Sequence, residues 1–238
     1  MQLTDFLFHN FPLETFEVKM SKDDEKVMVL SSRVVFNYNK YFNGFSLYGG
    51  NGFRLTGTDS YQFLRRGDVE QDPSYKQIIP YVIYYNKESD MILTYTRSNN
   101  SGEQRLASKL SIGFGGHINE CDTKPDGDYF DNIVLTSLVR EMTEEAPVTD
   151  NDVSYRTRLV PFGYVNEDMS DVGRVHFGIV FVFVIDNHIA SSIRFLEDEI
   201  VAAKWMQRSE FNLIGRLFET WSSLCFPAIQ MYLNGVIE

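Results

Sequence analysis

The fifteen residues from Asn132 to Ala146 leave this chain few ways to fold. At about 100° per residue, Val134, Leu135, Leu138 and Met142 fall within one arc of an α-helix, the face that must pack on a sheet. Glu145 projects into the middle of that arc, Glu141 sits at its edge and Glu144 lies just beyond. The three carboxylates form a ridge running from the apolar stripe toward solvent. A carboxylate on an apolar stripe is costly unless its charge is compensated. These three also repel one another, because 141/144 and 141/145 are neighbouring helix positions. They crowd the C-terminal end, where the helix dipole disfavours anions. Arg140 is the only basic residue on the helix and cannot neutralise three charges alone. One hard divalent cation, bound through oxygens, would reverse all three penalties. The alternative is a solvated acidic patch, which requires Glu145 to face outward.

A cation held there needs a task. Mg2+ commonly bridges phosphate oxygens, polarises the phosphoryl group and orients or activates a water. Gly115-Gly116, upstream of the helix, suits that task, because Gly116 offers an unobstructed carbonyl oxygen and lets substrate approach closely.

Around this helix the text is β-rich. Ile79 to Tyr85, a turn at Asn86 to Asp90 and Met91 to Tyr95 read as a hairpin with a polar tip. A polar loop over 97–104 follows, then a strand at Leu110 to Gly113, then a polar loop over 119–131 with a Pro-Asp-Gly turn. Beyond the helix, strands are expected at Arg158 to Asn166, Val175 to Asp186 and Ala202 to Met206, with a short helix at Ile189 to Phe195. A last helix spans Glu210 to Leu233, and Pro227 should kink or split it. Residues 1–60 are rich in Phe, Tyr, Asn and Gly, and Asn43-Gly44 and Asn51-Gly52 are hairpin-turn signals. Their aromatics suit strand packing; a base-stacking surface is the other reading. No repeat and no linker separates two large domains. The expected fold class is α+β, built as an α/β/α sandwich, with a β-rich N-terminal extension over residues 1–60.

Charge narrows the function classes. The formal net charge of −11 repels nucleic-acid backbone and anionic lipid, so duplex nucleic acid and membrane are poor partners, and a metal ion is a reasonable one. Cys121 and Cys225 lie far apart without ligand spacing and read as reduced thiols of a cytoplasmic protein. Met1 to Phe16 lacks the basic start and apolar run of a signal peptide. The longest apolar run, Phe177 to Ile185, is too short to span a bilayer and reads as a buried strand.

Gly115-Gly116-His117-Ile118, followed after a loop by Arg140-Glu141-Met142-Thr143-Glu144-Glu145-Ala146-Pro147-Val148, resembles the Nudix box. That pattern is Gly, five residues, Glu, seven residues, then Arg-Glu-apolar-x-Glu-Glu-x-Gly-apolar. Pro147 stands in place of the last Gly and can still end a helix. About ten extra residues separate Gly116 from the helix, and Asn132 occupies the position of the first box glutamate, which is usually structural or outer-shell; Asp128 or Asp131 could substitute. Residues 72–81, 111–119 and 172–178 are similar to a Nudix subgroup that carries a long loop inside the box, so the resemblance covers roughly residues 65–235 and places a Nudix hydrolase domain over 61–238.

The resemblance implies a mixed sheet between helices and metal-dependent hydrolysis of a nucleoside diphosphate derivative by water attack on phosphorus. The cofactor would be Mg2+, with Mn2+ as a substitute. Metal ligands would be Glu144, Glu145 and the Gly116 carbonyl, with Glu141 a ligand or the base, and Arg140 orienting the glutamates. A base from a later loop, Glu197, Asp198 or Glu199, is the other option. Gly115, Gly116, His117 and Arg174 are the candidate substrate-binding residues. A homodimer is suggested only by analogy. Two alternatives stay open: a non-catalytic nucleotide-binding or regulatory module on the same fold, and isomerisation of an allylic diphosphate, for which Cys121 is poorly placed.

Overall fold

The computed structural model describes residues 21–36, 41–49, 53–97, 109–124, 129–150, 153–195, 200–211 and 217–235. The 1–16 segment, the Asn51-Gly52 turn, the 98–104 loop, the Pro-Asp-Gly turn with Asp128, and the base candidates Glu197, Asp198 and Glu199 lie outside the described residues.

One mixed sheet organises the chain. Its strands are β1 (Lys26–Ser31), β2 (Gly44–Leu47), β3 (Gln62–Arg65), β4 (Tyr75–Asn86), β5 (Met91–Arg97), β6 (Leu110–Ser111), β7 (Gly113–Phe114), β8 (Leu159–Asn166), β9 (His176–Ile185) and β10 (Ile200–Gln207). The spatial order is β10-β5-β4-β9-β8-β2, with β1 bridging β3 and β4, β6 on β5 and β7 on β4. β4 and β9 pair in parallel from Gln77↔His176 to Asn86↔Ile185, and the other pairings are antiparallel.

The period of two along β9 explains the layering. Phe177, Ile179, Phe181, Phe183 and Ile185 enter one core, and Val180 and Val182 enter the other. A strand buried on both faces reads as a continuous apolar run, which is what Phe177 to Ile185 is. The first core is roofed by α3 (Phe130–Glu145), whose Ile133, Val134, Leu138 and Met142 are buried, and by α5 (Asn187–Ser192). The second is roofed by α6 (Thr220–Leu233), through Cys225, Phe226 and Ile229. The result is the expected α/β/α sandwich. Short helices α1 (Ser32–Phe36), α2 (Arg66–Val69) and α4 (Tyr155–Arg158) link strands.

Three local expectations change. Asn43-Gly44 does not turn a hairpin: Gly44, at φ +124, opens β2, which pairs with the distant β8. Long-range pairing overrides a local turn signal there. The last helix begins at Thr220 rather than Glu210, because Glu219 caps it by accepting from the Trp221 and Ser222 N–H groups. Of the two effects expected of Pro227, a kink or a split, the split does not occur: one helix runs through it, its apolar side held on the second core. The short helix after β9 starts earlier, at Asn187, since the Asp186 side chain accepts from the Ile189 N–H and caps it. Cys121 is exposed and Cys225 buried, both free thiols. Among the described residues, no helix is long and apolar enough to cross a membrane.

Candidate active site

The turn leaving β7 brings the glycine pair under the end of α3. Gly115 holds φ +146, and a Cβ there would lie 2.0 Å from the Pro80 carbonyl oxygen, so only glycine fits. Its N–H donates to Glu145 Oε2 at 3.1 Å. Glu145 is 6% exposed, inside the apolar stripe as the helical period requires. The solvated-patch alternative, which needed Glu145 outside, is therefore excluded. Gly116 faces Glu141: a Cβ there would sit 2.7 Å from its carboxylate atoms. Glu144 is exposed, at 51% of its side chain.

Arg140 braces this ridge. Its Nη1 donates to Glu141 Oε1 at 2.7 Å and to Glu144 Oε2 at 3.1 Å, and its Nη2 donates to the His117 carbonyl at 3.0 Å. Burial works against the Arg140 guanidinium, but its bonds and charge pairs with Asp122 and Glu141 outweigh that and hold it above its ordinary value. The ridge thus keeps one fixed cation and presents oxygen donors from Glu141, Glu144 and Glu145 around a glycine turn. That set suits a hard divalent ion, and the space a Cβ would fill at Gly116 lies against the Glu141 carboxylate.

Asp122 is the residue that reading the sequence missed. It is buried in a 3-10 turn (Glu120–Asp122) of the long loop, and it accepts two bonds from Arg140, from Nε at 2.8 Å and from Nη2 at 3.0 Å. The Asn119 N–H donates to its Oδ2 at 2.8 Å. Asp122 is thus a carboxylate partner of the Arg140 guanidinium supplied by the long loop. Asp131, on the first turn of α3, is not the guanidinium's partner. Nothing in the spacing singled out Asp122 among the acids of a polar loop.

The His117 ring faces His176, the two Nε2 atoms lying 3.2 Å apart. Burial, the facing His176 and the charges of Arg66, Lys22 and Arg140 push the His117 imidazole well below its ordinary value. Arg174 is not at the ridge. It pairs with Asp171 and, with Ser32, Phe36, Tyr41, Pro73, Lys76 and Asp168, lines a cavity of about 330 Å³. Lys76 anchors that cavity: its Nζ donates to Asp168 Oδ1 at 2.6 Å and to the Gly173 carbonyl at 3.2 Å. Burial lowers the Lys76 ammonium from its ordinary value, and Asp168 opposes that.

No protein-family model matches the chain. Protein YmaB of Bacillus subtilis (strain 168) is 37% identical over 174 residues, spanning 72% of this chain and 79% of that protein. Among solved structures, Tm1382, assigned to the Nudix hydrolases, is 26% identical with a TM-score of 0.63, over 88% of this chain and 99% of its own. The chain belongs to the family of Protein YmaB, and the Glu-bearing helix over a glycine turn, the mixed sheet between helices and the likeness to Tm1382 agree that it is a member of the Nudix hydrolase superfamily.

Proposed function

We propose that this Nudix hydrolase is a Mg2+-dependent diphosphohydrolase acting on a nucleoside diphosphate linked to a further group. The bond cleaved in this superfamily is a phosphoric anhydride. The observation that carries the proposal is the buried Glu145 carboxylate, bonded to the Gly115 N–H beside Glu141 and Glu144 on the Arg140 brace. A carboxylate as buried as Glu145, crowded by two neighbouring glutamates, is costly unless its charge is compensated.

In this reading Glu144, Glu145 and the Gly116 carbonyl hold the ion, and Mn2+ can replace Mg2+. When bound, the ion supplies charge stabilisation at the phosphoryl oxygens and lowers the pKa of a water. Glu141, pressed against Gly116, holds the ion as well or takes the proton from the attacking water. Arg140 keeps Glu141 and Glu144 in register. Gly115 and Gly116 admit the diphosphate close to the main chain. The cavity beside Lys76 and Arg174 accepts the remainder of the substrate, with Phe36 and Tyr41 as its aromatic wall. Along β4, Lys76 and Pro80, which contacts Gly115, are four residues apart, a separation of about 13 Å, comparable to a nucleotide's length. Residues 61–238 form the catalytic domain in this proposal, and 1–60 an extension whose described strands β1 and β2 join the same sheet. The partner is a small nucleotide derivative rather than duplex nucleic acid or membrane; a homodimer and a cytoplasmic location belong to the same proposal.

The test is incubation with Mg2+ and nucleoside triphosphates, dinucleoside polyphosphates, ADP-ribose, nucleotide sugars, NAD(H) and CoA, with products resolved by chromatography. Turnover of one class, abolished by EDTA and reduced at least about 100-fold in Glu145→Gln, is the expected result. Tight binding of a nucleotide without turnover would instead make the chain a binding module.

A further inference from the structure

We propose that Glu70, His117 and His176 form a second metal site, built for a borderline transition cation such as Zn2+, that ties α2 and the glycine turn to the start of β9. The site lies outside the glutamate ridge and goes beyond the diphosphohydrolase reading without depending on it.

The three residues come from separate parts of the fold: Glu70 closes α2, His117 follows the glycine pair and His176 opens β9. One ligand atom from each lies within 4.8 Å of the others. The two imidazole Nε2 atoms are 3.2 Å apart, with the rings inclined at 67° rather than stacked. Nitrogens bound to one tetrahedral zinc at about 2.0–2.1 Å are separated by about 3.3 Å, so both histidines already hold the required edge. His176 Nδ1 lies 2.7 Å from the Val172 carbonyl oxygen. A carbonyl only accepts, so Nδ1 carries the proton and Nε2 presents its lone pair to the site. Such a bond from the other ring nitrogen fixes the tautomer and orientation that a metal-bound histidine needs.

Gln77 gives an independent pointer. It is fully buried, and neither its Oε1 nor its Nε2 has a hydrogen-bond partner among the described residues. Gln77 is in direct register with His176 on β9 and with Val29 on β1, and residues paired in register project from the same face of a sheet. Its amide is therefore aimed to the side where His176 meets His117. A buried amide without a partner is destabilising, because it has given up its bonds to water and gained none in return. A water on the bound cation gives Oε1 the hydrogen it lacks and fills the fourth position of a His2Glu set.

Ligand chemistry separates this site from the ridge. Imidazole nitrogens select zinc and its neighbours, whereas magnesium takes oxygens and sheds water reluctantly. Glu70 also accepts from Arg66 Nε at 3.0 Å. A carboxylate has two oxygens and several lone pairs, so it can serve the guanidinium and a cation together. Arg66 is itself shared with Glu25, which limits its repulsion of the ion.

The experiment strips the full-length protein of metal, saturates it with Mg2+ to fill the all-oxygen ridge, and titrates Co2+ while recording visible absorption and bound-metal stoichiometry. One Co2+ per chain, a d–d band displaced by Zn2+, and retention of that band in Glu145→Gln are expected. In Glu70→Gln and His176→Gln variants with cooperative melting curves, Co2+ affinity falls at least about 10-fold. Absence of Co2+ uptake by the wild-type protein in Mg2+ overturns the proposal, and requires no variant to fold. Uptake lost in Glu145→Gln but kept in Glu70→Gln places the cation on the ridge and also overturns it. Should His176→Gln fail to fold, the half-buried His117→Gln decides in its place. Mg2+-dependent turnover is measured apart from Co2+ uptake, so either reading can fail alone.

Discussion

Arg140 and Asp122 are joined by two hydrogen bonds, Nε to Oδ1 at 2.8 Å and Nη2 to Oδ2 at 3.0 Å, and Asp122 is almost wholly buried. Paired donors and acceptors in one plane fix the guanidinium in direction as well as position. The remaining nitrogen, Nη1, is thereby aimed at Glu141 and Glu144. Asp122→Asn keeps the shape and removes the charge. Metal affinity or turnover should fall about 10–100-fold, with the fold retained. Mg2+ titration of activity beside a thermal melt checks it; unchanged Mg2+ dependence would show that the brace does not position the glutamates.

Gly116→Ala separates function from stability. The new Cβ would lie 2.7 Å from the end of the Glu141 side chain, which can swing aside. The melting temperature should therefore change little, by under about 1 kcal/mol in stability, because a flexible side chain yields more cheaply than backbone. Turnover should fall sharply, since the displaced carboxylate is one that the ridge needs. Kinetics and denaturant unfolding on the same preparation decide it, and full activity would remove Glu141 from the proposed site.

Gly113→Ala should do the reverse. A Cβ there would sit 1.9 Å from the Tyr81 ring. That ring cannot yield, because its hydroxyl donates to the buried Glu219 at 2.9 Å and Glu219 caps α6. Overpacking of this kind costs about 1–3 kcal/mol. Urea unfolding should show the loss, and Gly113→Ala combined with Tyr81→Leu should recover part of it by making room.

Asp168 predicts a pH dependence. Burial pushes its carboxyl up, but bonds from Lys76, Tyr41 and Asn166 outweigh this and hold it below its ordinary value. The same contact raises the Tyr41 hydroxyl to about 12, the Asp168 hydrogen bond being the main cause. A carboxyl whose folded pKa is depressed contributes stability that is complete above its unfolded value, about 3.9, and lost as pH falls through the folded value. Unfolding measured down through the acid range should show that loss in the wild type. In Asp168→Asn the loss should be smaller, from a lower stability at neutral pH. Parallel acid limbs would show that Asp168 contributes nothing through its charge.

The Glu-bearing helix was legible in the sequence because its chemistry is local. Glu141, Glu144, Glu145 and the apolar residues between them share one helical period, so geometry alone puts Glu145 inside, where it is found. The buried run of β9 and the strands on either side follow from the same kind of short-range pattern, with ends displaced by a residue or several where caps such as Asp186 and Glu219 intervene. The partners of these elements were not legible. Asp122 meets Arg140 across the long loop, His117 meets His176 across the sheet, and β2 leaves its own neighbourhood to pair with β8. Each depends on strand order and register, which fix contacts between residues far apart in the chain, and no local period carries that information. What the sequence determined by itself is the glutamate-bearing helix and the alternating strands; what only the tertiary structure decided is which distant side chains surround them, because burial and long-range pairing select among many locally equivalent acids, histidines and turns.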